Sequence, residues 1–311
     1  MMFNCISALL LLTTICGSAF ACQPLSNNST PVIYFPAKLG SEHPKEDYIF
    51  QLLQLVINKS EVKYGPCVVE FTLYQAPLKR MQYYLESGRD VDVIALTVSQ
   101  ERDQNLLPIK VPIAKGLVGY RLLMINTNNA NRFNNINSLK QLKKFVAGQG
   151  TDWPDVTILQ QNDLPVVTSG SVKTLVQMLA HNRFDYFPQG ALQIGRVLDN
   201  YRNKKISIAE NVLISYPSMT AFYVNKGNKK LAERLEYGLK QAYLDGSFNY
   251  FFEQHPLTLN AANYLKLHKK KILFLCNKNL SKWAPIANDA YWLRPWSSDV
   301  KNCSIQLEQT M

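Results

Sequence analysis

β-rich segments and amphipathic helical segments alternate along this chain, and that order leaves few architectures open. Residues 31–35 form a short β-rich run. Residues 48–58 place Ile49, Leu52, Leu53 and Val56 at helical spacing. Residues 68–74 alternate, with Val69, Phe71 and Leu73 on one side, as a strand does. Residues 78–87 read as a helix stopped by Gly88, and 91–98 as a compact apolar strand. Strand, helix, strand, helix, strand is an α/β unit with a largely parallel sheet.

A second such unit follows. Residues 119–126 read as a long strand, then come an Asn-rich stretch, a short helix over 138–144 and a strand over 145–147. Gly148-Gln149-Gly150-Thr151-Asp152 reads as a tight turn into a helix, with Thr151 or Asp152 as the cap and Pro154 in the first turn. Val166-Val167 is a brief strand. Ser169-Gly170-Ser171 caps a helix whose apolar face is Val172, Leu175, Val176 and Leu179, and 184–187 is a further strand. Beyond it lie a β-rich segment over 215–225 containing Pro217, a helix with Leu231, Leu235 and Leu239 on one face, a helix over 246–254, a strand over 272–275 and an aromatic end around Trp292 and Trp296. No Gly-, Pro- or Ser-rich linker separates the units. The expectation is therefore a two-lobed α/β fold hinged on crossing strands, with 22–118 and 222–311 in one lobe and 119–221 in the other.

The first 21 residues are of another kind. Residues 6–15 are almost unbroken apolar sequence, and Ala19-Phe20-Ala21 gives the small-x-small pattern that a signal peptidase reads. The run is shorter than a membrane span requires. The mature chain is expected to begin at Cys22 in the periplasm. Lipid attachment at Cys22 is the less favoured alternative, because Ala19 and Phe20 fit a lipoprotein box poorly. Of the six cysteines, Cys5 and Cys16 leave with the leader. The remaining Cys22, Cys67, Cys276 and Cys303 allow several pairings, and an oxidising compartment permits them. Cys276 and Cys303 bracket the C-terminal segment and are one candidate pair; buried thiols at Cys67 and Cys276 are an alternative of at least equal weight. No cysteine and histidine spacing points to zinc, and no cofactor is implied.

The formal net charge is +11, and the leader carries no charged side chain, so the mature chain keeps it. A basic surface steers anions. The basic residues are scattered, which argues against a nucleic-acid partner, and His268-Lys269-Lys270-Lys271 reads as a solvated stretch before a strand.

In open α/β sheets ligands bind beyond the C-terminal ends of the strands. One such end is Ala95-Leu96-Thr97-Val98-Ser99-Gln100-Glu101-Arg102. Thr97 and Ser99 offer hydroxyls, and Arg102 offers a planar fork that matches a carboxylate or phosphate. Surface pairing of Arg102 with Glu101 or Asp103 is the competing reading. The other end is 148–152, where free backbone N–H groups at a helix start would form an anion site. Two such ends on opposite lobes could close on one ligand.

Thr97-Val98-Ser99-Gln100-Glu101-Arg102 resembles the T-[IV]-[TS]-x-E-R segment of family 3 periplasmic solute-binding proteins, the amino-acid-binding type. Leu106-Leu107-Pro108 through Gly119-Tyr120-Arg121 resembles that family's approach to the hinge, Gly148-Gln149-Gly150-Thr151 its G-x-G-T turn, and Asn182-Arg183-Phe184-Asp185 its G-R-x-D-A segment. The resemblance covers roughly residues 32–255. It implies that Arg102 grips a ligand carboxylate, that Thr97 and Ala95 make hydroxyl and backbone contacts, and that Gly150 and Thr151 close from the second lobe. Tyr34 remains from the family's aromatic clamp, while the loop after it is polar (Lys38, Ser41, Glu42, His43). The family's second-lobe aspartate, which pairs with a ligand ammonium, falls near Gln189-Gly190, where no carboxylate stands. Asp185 matches a structural aspartate at the strand start. An unpaired ammonium in a closed cleft is costly, so the resemblance favours an anionic ligand over an α-amino acid.

Three roles fit a chain of this kind. A monomeric binding component would deliver a small carboxylate-bearing solute to an ABC-type membrane importer. A sensor module would signal through a separate membrane receptor. An enzyme would need an acid or base beside Arg102. Glu101 is expected to point away, and His43 and His181 have no evident partners, so catalysis is not read here.

Overall fold

The computed structural model describes Cys22 and residues 30–37 and 42–305. The leader, Lys38 and Ser41 lie outside the described residues. Eleven strands form the frame among the described residues: β1 (Val32–Phe35), β2 (Val68–Phe71), β3 (Val93–Thr97), β4 (Leu106–Pro108), β5 (Tyr120–Asn126), β6 (Ala147–Gly150), β7 (Val166–Ser169), β8 (Tyr186–Gly190), β9 (Ile206–Ser215), β10 (Thr220–Asn225) and β11 (Lys271–Phe274). The mixed α/β architecture follows the alternation in the sequence.

The first layer is built from two small sheets, β1-β2 in parallel and β3-β10-β4. They meet where the Asp92 N–H donates to the Tyr34 carbonyl at 3.0 Å. The Asp92 carboxylate in turn accepts from the Tyr34 N–H at 2.7 Å. The helix Tyr48–Tyr64 covers this layer. Asp47 caps it by accepting from Ile49 N and Phe50 N, and Leu52, Leu53, Val56 and Ile57 form its buried face. It runs beyond the expected residue 58 until Gly65, whose φ of 78° ends it. β2 is shorter than expected, and Leu73 stands 99% exposed outside it.

The second layer is a six-stranded sheet in the order β11-β9-β5-β8-β6-β7. The chain passes between the layers through 109–119 and 216–219. These crossing segments lie side by side, with Tyr216 N–H donating to Gly119 O at 3.2 Å. A Cβ on Gly119 would fall 2.1 Å from that tyrosine's carbonyl oxygen, so the close approach demands glycine.

The C-terminal part departs from expectation. Residues 222–311 were expected to lie with the first lobe, yet β11 pairs in parallel with β9 of the larger sheet (Lys271↔Val212 to Phe274↔Ser215). The tail then returns to the first layer. Trp292 and Trp296 are each 4% exposed and pack with Met81, Leu85, Ile94 and Leu96. Both cysteine pairs are closed, Cys22–Cys67 and Cys276–Cys303. The second is the candidate pair, the first is among the pairings the sequence left open, and together they overturn the buried-thiol alternative for Cys67 and Cys276. Cys276–Cys303 closes a 27-residue separation. Replacing both cysteines with serine is expected to lower unfolding free energy by about 3 kcal/mol, through the freed chain entropy of the unfolded state. Chemical denaturation under non-reducing conditions checks this.

The helix Pro256–Leu265 was not anticipated. It is capped by His255, whose Nδ1 accepts from Leu257 N at 3.1 Å. An accepting Nδ1 must be unprotonated. Burial lowers the His255 pKa below 6.5, against smaller raising effects of the Glu46 backbone and the Asp47 charge. A depressed folded-state pKa means the folded state binds fewer protons than the unfolded one. The contribution is present above about pH 6.5 and is lost as pH falls from there through the depressed value. Thermal melts of the wild type are expected to shift to lower temperature as pH falls through that window, and His255→Asn, a cap that does not titrate, is expected to remove this component.

Candidate ligand cleft

The two layers face each other across a cleft of about 810 Å³. The first-lobe wall begins with the helix Leu78–Glu86. Its Met81 and Leu85 are buried, and Lys79, Gln82, Tyr83 and Glu86 line the cleft. These four stand at i, i+3, i+4 and i+7, one face of a helix. The wall continues with Thr97 at the end of β3 and with Ser99, Gln100, Glu101 and Arg102 of the next turn. Opposite stand Thr151, Asp152, Trp153, Thr157 and Ile158 of the second lobe. Ser218 of a crossing segment and Asn277 and Asn279 of the tail complete the lining.

Arg102 is held by its surroundings while its charge stays available. Ser99 caps the short helix Gln100–Asn105, its Oγ accepting from Arg102 N at 3.3 Å. The guanidinium donates to the Thr97 carbonyl. Asp103, one of the surface partners considered for Arg102, is engaged elsewhere: Tyr223 Oη donates to one oxygen at 3.0 Å and Trp283 Nε1 to the other at 2.6 Å. Among the described residues no ion pair involves Arg102. Glu101 lines the cleft, contrary to the expectation that it points away. The cleft therefore carries both signs: Lys79 and Arg102 against Glu86, Glu101 and Asp152.

The second-lobe turn differs from its sequence reading. β6 runs through Gly148 to Gly150 instead of ending at 147, and the helix Pro154–Gln161 is preceded by Trp153 at the cap position, not by Thr151 or Asp152. The N–H groups expected to be free are largely used within the protein. Gly150 N donates to Gln149 Oε1 at 3.1 Å. Thr151 N donates to Ser169 O and Trp153 N to Gly150 O. An anion in this cleft must be met by side chains, chiefly Arg102 and Lys79.

Of the residues singled out from the sequence, Arg102, Thr97 and Thr151 line the cleft together. Gly150 is buried at the end of β6, beneath the Trp153 ring. Ala95 is half-buried within β3, paired with Phe222. Tyr34 lies in β1, bonded to Asp92. Gln189 is 3% exposed in β8, opposite Leu122, and its Nε2 finds no partner among the described residues. None of these four lines the cleft. Asp185 accepts from Arg132 at 2.8 Å and from Val146 N at 2.8 Å, a bracing position at the strand start. The cleft face of Leu78–Glu86 escaped the sequence reading, although its spacing was legible; Asn277 and Asn279 carried no local signal.

Beneath the second-lobe wall lies a buried charged triad. Arg121 Nε donates to Tyr216 Oη at 2.6 Å and lies 2.8 Å from Asp155 Oδ1. Tyr216 Oη donates to the same carboxylate. Burial alone would lower the Arg121 pKa, but Asp155 and Tyr216 outweigh it and hold the guanidinium charged.

No family model matches the chain, and neither does any curated protein. Solved structures do. An ancestral arginine-binding protein bound to arginine superposes with a TM-score of 0.50 at 18% identity, covering 72% of this chain and 97% of its own. The fold is that of the periplasmic binding proteins. A histidine kinase sensor domain with similarity to periplasmic binding proteins superposes at 0.51 with 16% identity, covering 73% of this chain and 96% of its own. At these identities the agreement is one of fold. Among the described residues no helix is long and apolar enough to cross a membrane.

Proposed function

We propose that this protein is an extracytoplasmic solute-binding protein that captures a small carboxylate-bearing ligand between its lobes and delivers it to an ABC-type membrane importer. The observation that carries the reading is Arg102, a positioned guanidinium lining a two-walled cleft with no carboxylate partner among the described residues. A buried or half-buried charge of this kind calls for a counter-charge. The lobes are taken as 22–118 with 222–311, and 119–221, β11 excepted. The protein acts as a monomer and performs no chemistry on its ligand. The sulfur of Cys22 is bridged to Cys67, and a bridged sulfur cannot carry a thioether-linked lipid, which supports a soluble periplasmic form over an anchored one.

A second reading, a sensor module that reports occupancy to a membrane receptor, is favoured by the similarity to a histidine kinase sensor domain. Both readings need the same first step. A thermal-shift screen of residues 22–311 against amino acids, dicarboxylates, short peptides and sugars tests it. A ligand at a hundred times its Kd adds about 2.7 kcal/mol to stability. Stabilisation by carboxylates is expected; stabilisation by neutral sugars alone would sink the anion reading.

A further inference from the structure

We propose that Trp153 is a stacking platform for the ligand, which therefore carries a flat ring face in addition to its carboxylate. The inference rests on the cleft being the ligand site. The inner face of the indole is fixed. A Cβ on Gly150 would lie 2.6 Å from ring atoms Cδ2 and Cε2, so the ring rests directly on a glycine. The Phe187 ring backs it, with centroids 6.2 Å apart and planes 29° apart. A ring seated in this way loses little further conformational freedom when something stacks on it.

The outer side is open. Trp153 lines the cleft and is 37% exposed, whereas Trp292 and Trp296 are 4% exposed and Trp283 is half-buried with its Nε1 engaged by Asp103. A tryptophan braced on one face and bare on the other, inside a concave site, offers apolar area that nothing among the described residues covers. The second lobe has few other means of holding a ligand here, because the Gly150, Thr151 and Trp153 N–H groups are already donated. Besides the Asp152 carboxylate and the apolar side chains of Pro154, Val156 and Ile158, that wall offers the indole face and the hydroxyls of Thr151 and Thr157. The opposite wall presents a second exposed ring, Tyr83, on the helix face that also carries Lys79. Two aromatic rings suit a ring-bearing ligand, and Arg102, which makes no ion pair among the described residues, takes its carboxylate, while Glu86, Glu101 and Asp152 supply the opposite charge elsewhere in the cleft. The ring can be aromatic or the apolar face of a sugar acid, since both stack on indole.

The test compares acids of equal charge with and without a ring: phenylpyruvate and glucuronate against pyruvate, by calorimetry and by tryptophan fluorescence, on residues 22–311. In the wild type, one of the ring-bearing acids is expected to bind at least about tenfold tighter than pyruvate and to change the indole emission. Which of the two does so identifies the ring type. Trp153→Leu keeps an apolar filler over Gly150; it is expected to remove the fluorescence change and to bring the affinity for the ring-bearing acid down to that for pyruvate in the same variant. Trp153→Phe is expected to restore part of the preference. Pyruvate binding with no ring preference, or a preference that survives Trp153→Leu, overturns the platform and leaves the carboxylate site standing. Absence of binding by all three acids overturns the platform, and the carboxylate reading then stands or falls with the thermal-shift screen.

Discussion

Replacing Arg102 with alanine is expected to weaken carboxylate binding by about 2–3 kcal/mol, roughly 30- to 140-fold in Kd. The loss arises because the fork that would hold both carboxylate oxygens is gone, and the second lobe cannot substitute for it. Its turn N–H groups at Gly150, Thr151 and Trp153 are already donated within the protein. Arg102→Lys keeps the charge and loses the paired geometry, so an intermediate affinity is expected. The guanidinium also donates to the Thr97 carbonyl, which makes circular dichroism and melting of each variant a necessary companion measurement. Calorimetric titration with the best-stabilising carboxylate checks the ratio. An unchanged Kd in a folded Arg102→Ala protein would mean that the anion is held elsewhere.

The largest expected loss of stability lies on the other lobe. Asp155→Ala leaves Arg121 buried without its counter-charge and Tyr216 without its acceptor. Breaking a buried pair from one side costs about 3–5 kcal/mol, because the stranded charge remains. The triad joins the helix Pro154–Gln161, which carries part of the cleft wall, to β5 and to the crossing segment at Tyr216. Asp155→Ala is therefore expected to unfold at markedly lower urea and to bind ligand less well. Replacing both charges with apolar residues, Arg121→Met with Asp155→Leu, is expected to recover a good part of the stability. A loss below about 1 kcal/mol in the single variant would show that solvent already screens the pair.

The parts of this fold that can be read from the sequence are those where a local pattern decides the structure. The helix Tyr48–Tyr64 shows its buried stripe in the sequence, and the helix Val172–Ala180 shows its stripe together with its Ser171 cap. β9 does not. Glu210 and Asn211 interrupt its apolar positions, and the pairing with β5 shifts register between Leu122 and Met124, so no clean period of two survives. The helix Pro256–Leu265 opens on a histidine cap, a residue outside the usual capping set. The position of β11 depends on its partner β9, not on its own residues.

The candidate site divides along the same line. Thr97, Arg102 and Thr151 sit at strand ends, where short motifs are visible, and the structure gathers them around one cleft. Gly150 and Gln189 were singled out by position in a motif, but they lie under the wall, in β6 and β8. Trp153 was hidden in what looked like an ordinary turn, because β6 ends three residues later than the pattern suggests and the cap falls one or two residues later. Asn277 and Asn279 reach the cleft only because the tail crosses back after β11. Asn162 brackets the Cys276 backbone, donating to its carbonyl at 2.8 Å and accepting from its N–H at 2.9 Å. No sequence window contains that juxtaposition.

The central claim is that a carboxylate-bearing ligand lies between the lobes on Arg102. A crystal structure of residues 22–311 with the best-stabilising acid tests it most directly. The account predicts ligand density in the cleft, with the carboxylate on the Arg102 guanidinium and the remainder of the molecule facing Thr151 and Trp153. Density outside the cleft, for example in the apolar groove between Leu117, Phe252 and Leu293, with Arg102 bare, would contradict it.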